Sequence, residues 1–117
     1  MKKINIVKKN DDFKKAIDSN NCYKNNYLII HSNVNNLDIY RFGISVSKKI
    51  GNSVIRNYYK RILRNIVDNH KKLYSKGKDY IIILRKACLE ANYNDIDNAF
   101  VEIINKIEKE SENETQD

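Results

Sequence analysis

"GNSVIRNYYKRILRNI", residues 51–66, places four basic residues and two tyrosines in sixteen positions and contains no acid. At about 100° per residue, Ile55, Tyr59, Ile62, Leu63, Ile66 and the later Leu73 fall on one arc of roughly 100°, the width of a stripe buried against a core. Arg56, Asn57, Lys60, Arg61 and Arg64 fall on a separate arc of roughly 140°, which Lys71 and Lys72 continue. The spacing predicts a helix capped by Asn52 or Ser53 and running to about Lys76, with Gly77 ending it. Like charges four apart, as in Arg56–Lys60–Arg64, repel by roughly a few tenths of a kcal/mol per pair. A merely solvated helix would interleave glutamate, yet the only acid between Arg41 and Gly77 is Asp68. An uninterrupted basic arc is most simply neutralised by a row of phosphates. Arginine suits that task because its planar fork grips phosphate oxygens in pairs. Asn57, set among cations, adds a neutral donor and acceptor for a base edge, a ribose hydroxyl or a hydrated metal ion.

Just upstream, "VSKKIGNS" (46–53) brings Lys48 and Lys49 to the positive end of that helix, where free backbone N–H groups add to the attraction for anions. Gly51 leaves room for a close backbone approach. The Gly-x-x-x-x-Gly-Lys-Ser/Thr spacing of a P-loop is absent. "LDIYRFGISVS" (37–47), with Ile39, Ile44 and Val46, and "YLIIH" (27–31) read as strands, with the polar "SNVNN" (32–36) as a hairpin turn between them. "NDDFKKAIDSN" (10–20) reads as a short helix capped by Asn10, with Asp11 and Asp12 at its positive end and Phe13, Ala16 and Ile17 as its apolar stripe. Downstream, "DYIIILR" (79–85) is a short apolar run expected to be a buried central strand. "YNDIDNAFVEIINKIEKE" (93–110) is an amphipathic helix built on Ile96, Phe100, Ile103 or Ile104, and Ile107. Residues 111–117 read as a flexible acidic tail.

The expected order is α-β-β-β-α-β-α, one of the three early strands not being assigned to particular residues. That is an α+β chain of one domain over residues 1–117, its single sheet packed by helices on one side as a two-layer sandwich. The 117 residues carry a net charge of +7, divided unevenly. Residues 1–40 hold seven basic and four acidic side chains, residues 41–86 thirteen and two, and residues 87–117 two and nine, giving +3, +11 and −7. A field concentrated in this way implies a polyanionic partner. No apolar run approaches the roughly 20 residues of a membrane helix, and the start "MKKINIVKKN" lacks a signal-peptide core, so an intracellular, soluble, cytoplasmic protein is expected. Cys22 and Cys88 fit neither a disulfide framework nor a zinc spacing, and buried free thiols are expected. His31 and His70 have no partner at ligand spacing and read as structural or surface residues.

"RFGISVSKKIGNSVIRNYYKRILR" (41–64) resembles the signature of the protein subunit of bacterial ribonuclease P. That family carries Arg-Asn-x-x-Lys-Arg-x-x-Arg after a strand and a Lys-Lys-x-Gly-x-Ala/Ser loop, and Arg56, Asn57, Lys60, Arg61 and Arg64 match it residue by residue. "VKKNDDFKKAI" (7–17) resembles the family's first helix and "KDYIIILRK" (78–86) its later strand. Three positions depart. Tyr58 stands where the family often has arginine, Ile30 where an aromatic is common, and Ala87 where proline is frequent.

The resemblance implies a left-handed strand–helix–strand crossover around the basic helix, against the general right-handed rule. It implies removal of the 5′ leader from precursor tRNA, with the chemistry done by a catalytic RNA subunit and Mg²⁺ that is mainly bound by RNA. The implied partners are that RNA and precursor tRNA, with no membrane and no obligate protein partner. Lys48, Lys49, Arg56, Asn57, Lys60, Arg61 and Arg64 would bind the RNA subunit. Phe13, Ile17, Tyr27, Ile30 and Lys86 would line a cleft for the leader. Three of these have an ordinary alternative, core packing for Phe13 and Tyr27 and a solvated side chain for Lys86, and for Tyr58 on the long helix packing is the alternative to base stacking. A protein-only metallonuclease needs clustered carboxylates, and the basic middle of the chain holds only Asp68 and Asp79. The competing readings are a stand-alone RNA-binding module, such as a ribosome-associated protein, and a DNA-binding regulator with the long helix in the major groove.

Overall fold

A computed structural model describes residues 5–7, 10–18 and 21–115. The elements are α1 (Asn10–Asp18), β1 (Cys22–Lys24), β2 (Leu28–Val34), β3 (Arg41–Ser45), α2 (Ser53–Asn69), β4 (Lys78–Leu84) and α3 (Tyr93–Thr115), with 3₁₀ turns at Lys71–Leu73 and Lys86–Glu90. The order is the expected α-β-β-β-α-β-α, and β1 is the strand that the sequence pattern left unplaced. Asn25 closes its hairpin with β2, since its side-chain oxygen accepts from the N–H groups of Tyr27 (3.1 Å) and Leu28 (3.0 Å), an Asx turn.

The four strands form one sheet in the order β1-β2-β4-β3. β4 is the central strand expected of its apolar run, antiparallel to β2 and parallel to β3. The hairpin expected at residues 32–36 does not form, because β2 and β3 are not neighbours. Ser32, Asn33 and Val34 instead extend β2 against Tyr80, Asp79 and Lys78. Asn36 then takes a left-handed turn (φ 59°). The loop that follows is held by the N–H of Asn35 donating to Gly77 O and that of Gly77 donating to Ile39 O, each at 2.9 Å. β3 is correspondingly shorter than the expected 37–47.

α2 links β3 to its parallel neighbour β4. It starts as expected, the Asn52 side chain accepting from the Ile55 N–H at 3.0 Å. It ends at Asn69 rather than near Lys76. Tyr74 folds back to donate its hydroxyl to Val67 O (2.8 Å) and packs its ring edge-on to Phe42, so the chain must leave the helical path. Gly77, at φ 83°, makes the turn into β4 instead of capping the helix. α3 is capped reciprocally by Asn92 and Asp95 and is longer than the expected 93–110.

Strand alternation divides the sheet into two faces. Leu28, Ile30, Phe42, Tyr80, Ile82 and Leu84 point toward α2 and α3 and are buried with Leu63, Ile66, Val67, Ile96, Phe100, Ile103, Ile104 and Ile107. Phe42 stacks on Tyr80 at 4.7 Å at the centre of this layer. Both Ile103 and Ile104 are buried, which settles the alternative left by the periodicity. On the other face Ile81 packs with Val7, Phe13 and Ile83, so α1 covers part of the sheet from the side opposite the two long helices. Cys88 is buried as expected, which pushes its thiol up to about 11, but Cys22 is exposed on the short edge strand. His70 pairs with Asp97 at 2.8 Å, a link from the end of α2 to α3. No described helix is long and apolar enough to cross a membrane.

Candidate nucleic-acid interface

The basic residues of α2 form a graded surface. Asn57, Arg61 and Arg64 are exposed, while Arg56 and Lys60 are half-buried along the border of the core stripe. Val67, one helical repeat of three turns beyond Arg56, is buried in that stripe, which the sequence reading had passed over. The Arg56 Nε lies out of solvent without a hydrogen-bond partner among the described residues. Ile55, placed in the stripe by periodicity, is partly exposed in the first turn. Lys48 and Lys49 are exposed in the turn closed by the Ile50 N–H donating to Ser47 O (3.1 Å), immediately before the cap of α2. Lys71 and Lys72 are exposed but sit in the 3₁₀ turn, off the helical arc. Among the described residues, no carboxylate forms an ion pair with any of these basic side chains.

α1 contributes a second, apolar surface. The half-buried Phe13 ring lies over Gly43, where a methyl group would stand 2.6 Å from its Cε2 and 2.7 Å from Ile81 Cδ1. Arg41 of β3 donates to Asp79 through Nε (2.8 Å) and Nη2 (2.6 Å), and its Nη1 reaches Asp12 of α1 at 3.4 Å. These contacts seat the helix on the sheet. A cleft of about 350 Å³ at the β3 edge is lined by Ile6, Val7, Phe13, Phe42, Gly43, Ile44 and Arg64. It joins the Phe13 surface to the basic face of α2, a continuity that spacing does not reveal.

The five residues that the resemblance assigned to one cleft are not gathered there. Phe13 and the exposed Ile17 share α1. Ile30 is fully buried on the opposite face, in the core beneath α2 and α3, so it cannot touch a ligand beside Phe13. Its neighbours Ile29 and His31 take that face instead, paired with Ile83 and Ile81. Ile29, His31 and Ile83 are half-buried and extend the apolar surface past Phe13. Burial lowers the pKa of His31, and its Nδ1 has no partner among the described residues. Tyr27 and Lys86 lie at the far ends of β2 and β4, where the Arg85 N–H donates to Tyr27 O (2.9 Å). Tyr27 packs against the core and lines a polar pocket with Asn25 and Ala99, and Lys86 is exposed. Tyr58 is 56% exposed, so it does not take the packing role that its position beside the stripe suggested. Among the described residues, no group of three or more His, Cys, Asp or Glu gathers as a metal site.

A basic crossover helix, an apolar face under a short first helix and a cleft joining them define an α+β protein of a recognisable kind. A family model described as Ribonuclease P matches residues 1–108. The ribonuclease P protein component of Alkaliphilus oremlandii is 36% identical over 107 residues, which cover 92% of this chain and 94% of that protein. A solved Staphylococcus aureus RNase P protein, a mutant with defective mRNA degradation activity, superposes with a TM-score of 0.83 at 35% identity, covering 92% of this chain and 90% of that one. The RNase P protein from Thermotoga maritima gives 0.75 at 26% identity, covering 81% and 90%. The chain belongs to the ribonuclease P protein component family, and its role is in the ribonuclease P complex.

Proposed function

We propose that this chain is the accessory protein of ribonuclease P, binding the catalytic RNA subunit through the basic face of α2 and the 5′ leader of precursor tRNA across the α1 face. It thereby promotes endonucleolytic removal of the leader. The observation that carries this reading is the set of cations on the crossover helix that pair with no carboxylate among the described residues, continuous through Arg64 with the cleft at Phe13. Lys48, Lys49, Arg56, Asn57, Lys60, Arg61 and Arg64 hold RNA phosphates and orient the subunit. Phe13, with Ile17, Ile29 and Ile83 around it, offers a ring and apolar walls on which unpaired leader bases stack. Tyr27 and Lys86 serve a more distant part of the same strand. The described carboxylates do not cluster, so hydrolysis is assigned to the RNA, with Mg²⁺ held by its phosphates and Asn57 touching at most a hydrated ion. The site of action is the cytoplasm.

Reconstitution with the cognate catalytic RNA at low Mg²⁺ tests the reading. The protein should accelerate leader removal over RNA alone, and protein alone should not cleave. Phe13→Ala in the assembled enzyme should weaken binding of precursor tRNA by roughly 1–3 kcal/mol, about fivefold to over a hundredfold, and leave mature tRNA unaffected. Absence of any stimulation by the wild-type chain would reject the assignment. Equal losses for precursor and mature tRNA would remove Phe13 from the leader surface.

A further inference from the structure

The outward ridge of α2 carries a feature that phosphate binding leaves unexplained. Val54, Tyr58, Arg61 and Asn65 follow one another at spacings of four, three and four, a single line along the helix, and all are exposed. Tyr58 is 56% exposed, and its hydroxyl has no hydrogen-bond partner among the described residues. Its ring is nevertheless held. It meets Tyr59 edge-on, with centroids 5.2 Å apart and planes at 77°, and Tyr59 is a core residue whose hydroxyl donates to Cys88 O (3.4 Å). At the C-terminal end of the ridge Tyr93 is 38% exposed and pinned, donating to Asn65 Oδ1 (2.6 Å) and accepting from Asn69 Nδ2 (3.2 Å). Two oriented rings thus flank Arg61 on a helix whose only acid is Asp68. A rigid ring loses little entropy when it is covered, and cations beside it favour an occupant that carries negative charge along its length. A nucleic-acid strand has both a flat aromatic face and the charge.

We propose that Tyr58 is a base-stacking residue. Its exposed ring receives one unpaired nucleobase of an RNA strand whose phosphates lie along Arg61 and Arg64. This deepens the reading of α2 as the face for the catalytic RNA and rests on it. The ring supplies a contact that is insensitive to salt, whereas the arginines supply one that falls with salt.

The test compares the full-length wild type with Tyr58→Ala and Tyr58→Phe. The probes are an eight-nucleotide oligoadenylate, an abasic strand of the same length, the catalytic RNA and an acidic peptide. Tyr58→Ala should bind oligoadenylate and the catalytic RNA about fivefold to a hundredfold more weakly, with an unchanged slope against log salt. Tyr58→Phe should bind as wild type, and the abasic strand should not distinguish the three proteins. Circular dichroism melting should stay near wild type, because the ring is mostly in solvent. Wild-type affinity of Tyr58→Ala for both base-bearing probes overturns the proposal. So does an equal loss on the abasic strand, which would mean that Tyr58 acts through the helix. A loss of binding to an acidic peptide without any loss on RNA would assign the ridge to a protein partner and also overturn it. If Tyr58-dependent binding to oligoadenylate holds while the catalytic RNA is not bound, the stacking site stands and the function proposed above fails. Tight binding of the catalytic RNA that is indifferent to Tyr58 has the opposite meaning.

Discussion

Gly43 has no side chain in a strand where every neighbour has one, and the Phe13 ring occupies the space where a Cβ would go. Any side chain there must push against an aromatic ring and against Ile81 Cδ1. Gly43→Ala should therefore lower stability by roughly 1–3 kcal/mol, the usual range for overpacking. Part of that loss should vanish in a Phe13→Ala background, leaving a coupling of more than about 0.5 kcal/mol in a double-mutant cycle read by thermal melting. Strictly additive losses would mean that Ile81 alone sets the constraint. The sequence offers Phe13 as either a leader-cleft or a core residue; its ring is half-buried against Gly43 and Ile81 and lines the cleft at the β3 edge. Ile30 was not legible. A strand changes face at every residue, and "YLIIH" has three apolar residues in a row with no polar marker of phase. Ile29 and Ile30 exchange roles on a shift of one.

Asp79 shows the same limit at the scale of elements. In the sequence it is one of two acids in a basic stretch. In the fold it is 3% exposed and accepts from Arg41 twice and from Asn35 Nδ2 (2.8 Å), tying β4 to β3 and to the loop after β2, while Arg41 reaches on to α1. This pairing holds the Arg41 guanidinium above its usual pKa. Asp79→Asn should cost roughly 3–5 kcal/mol in urea unfolding, because it strands a largely desolvated cation. A loss below about 1 kcal/mol would show that Asp12 or water takes over. The elements themselves were mostly readable where periodicity or a cap spoke: α1, the start of α2, central β4 and α3. β1 escaped because three residues with no alternation carry no period. The supposed turn at 32–36 failed because Ser32 and Asn33 are polar by type yet pair in the sheet beside β4. The end of α2 was misplaced because apolar spacing continues past Asn69 while the backbone changes course for Tyr74.

Over the whole molecule, most of the positive charge of residues 41–86 lies on β3, α2 and the turns at either end of α2, while Asp95, Asp97, Glu102, Glu108 and Glu110 place negative charge on α3. Such a dipolar protein should meet an RNA with its α2 side foremost, at a rate that falls with ionic strength. Replacing Arg61 and Arg64 together with alanine removes two exposed charges outside the core. The slope of log affinity against log salt should then fall by roughly 0.7–0.9 per lost phosphate contact, one to two in all. An unchanged slope, with a native circular dichroism spectrum, would show that this arc faces water. The family was legible because its signature lies on that arc, where five polar side chains keep the spacing of the family's motif. The extension of the cleft to Arg64 was not legible, because it depends on how β3, α1 and α2 meet.

The central place of β4 has a consequence for how the chain is made. β2 and β3 both lie N-terminal to α2, yet neither pairs with the other, and the strand that joins them begins at Lys78. A polypeptide emerging from the ribosome up to residue 77 would hold both outer parts of the sheet without the strand that pairs with each, and its α2 would have no α3 to share a core. Synthesis order and assembly order must therefore differ: the N-terminal two thirds waits in an open state until the last strand and helix arrive. Ribosome-stalled chains with residues 1–77 outside the tunnel should be digested readily by protease, whereas those extended through Ile107 should resist. Protection of the shorter chain would show that the early elements hold together without the strand that unites them.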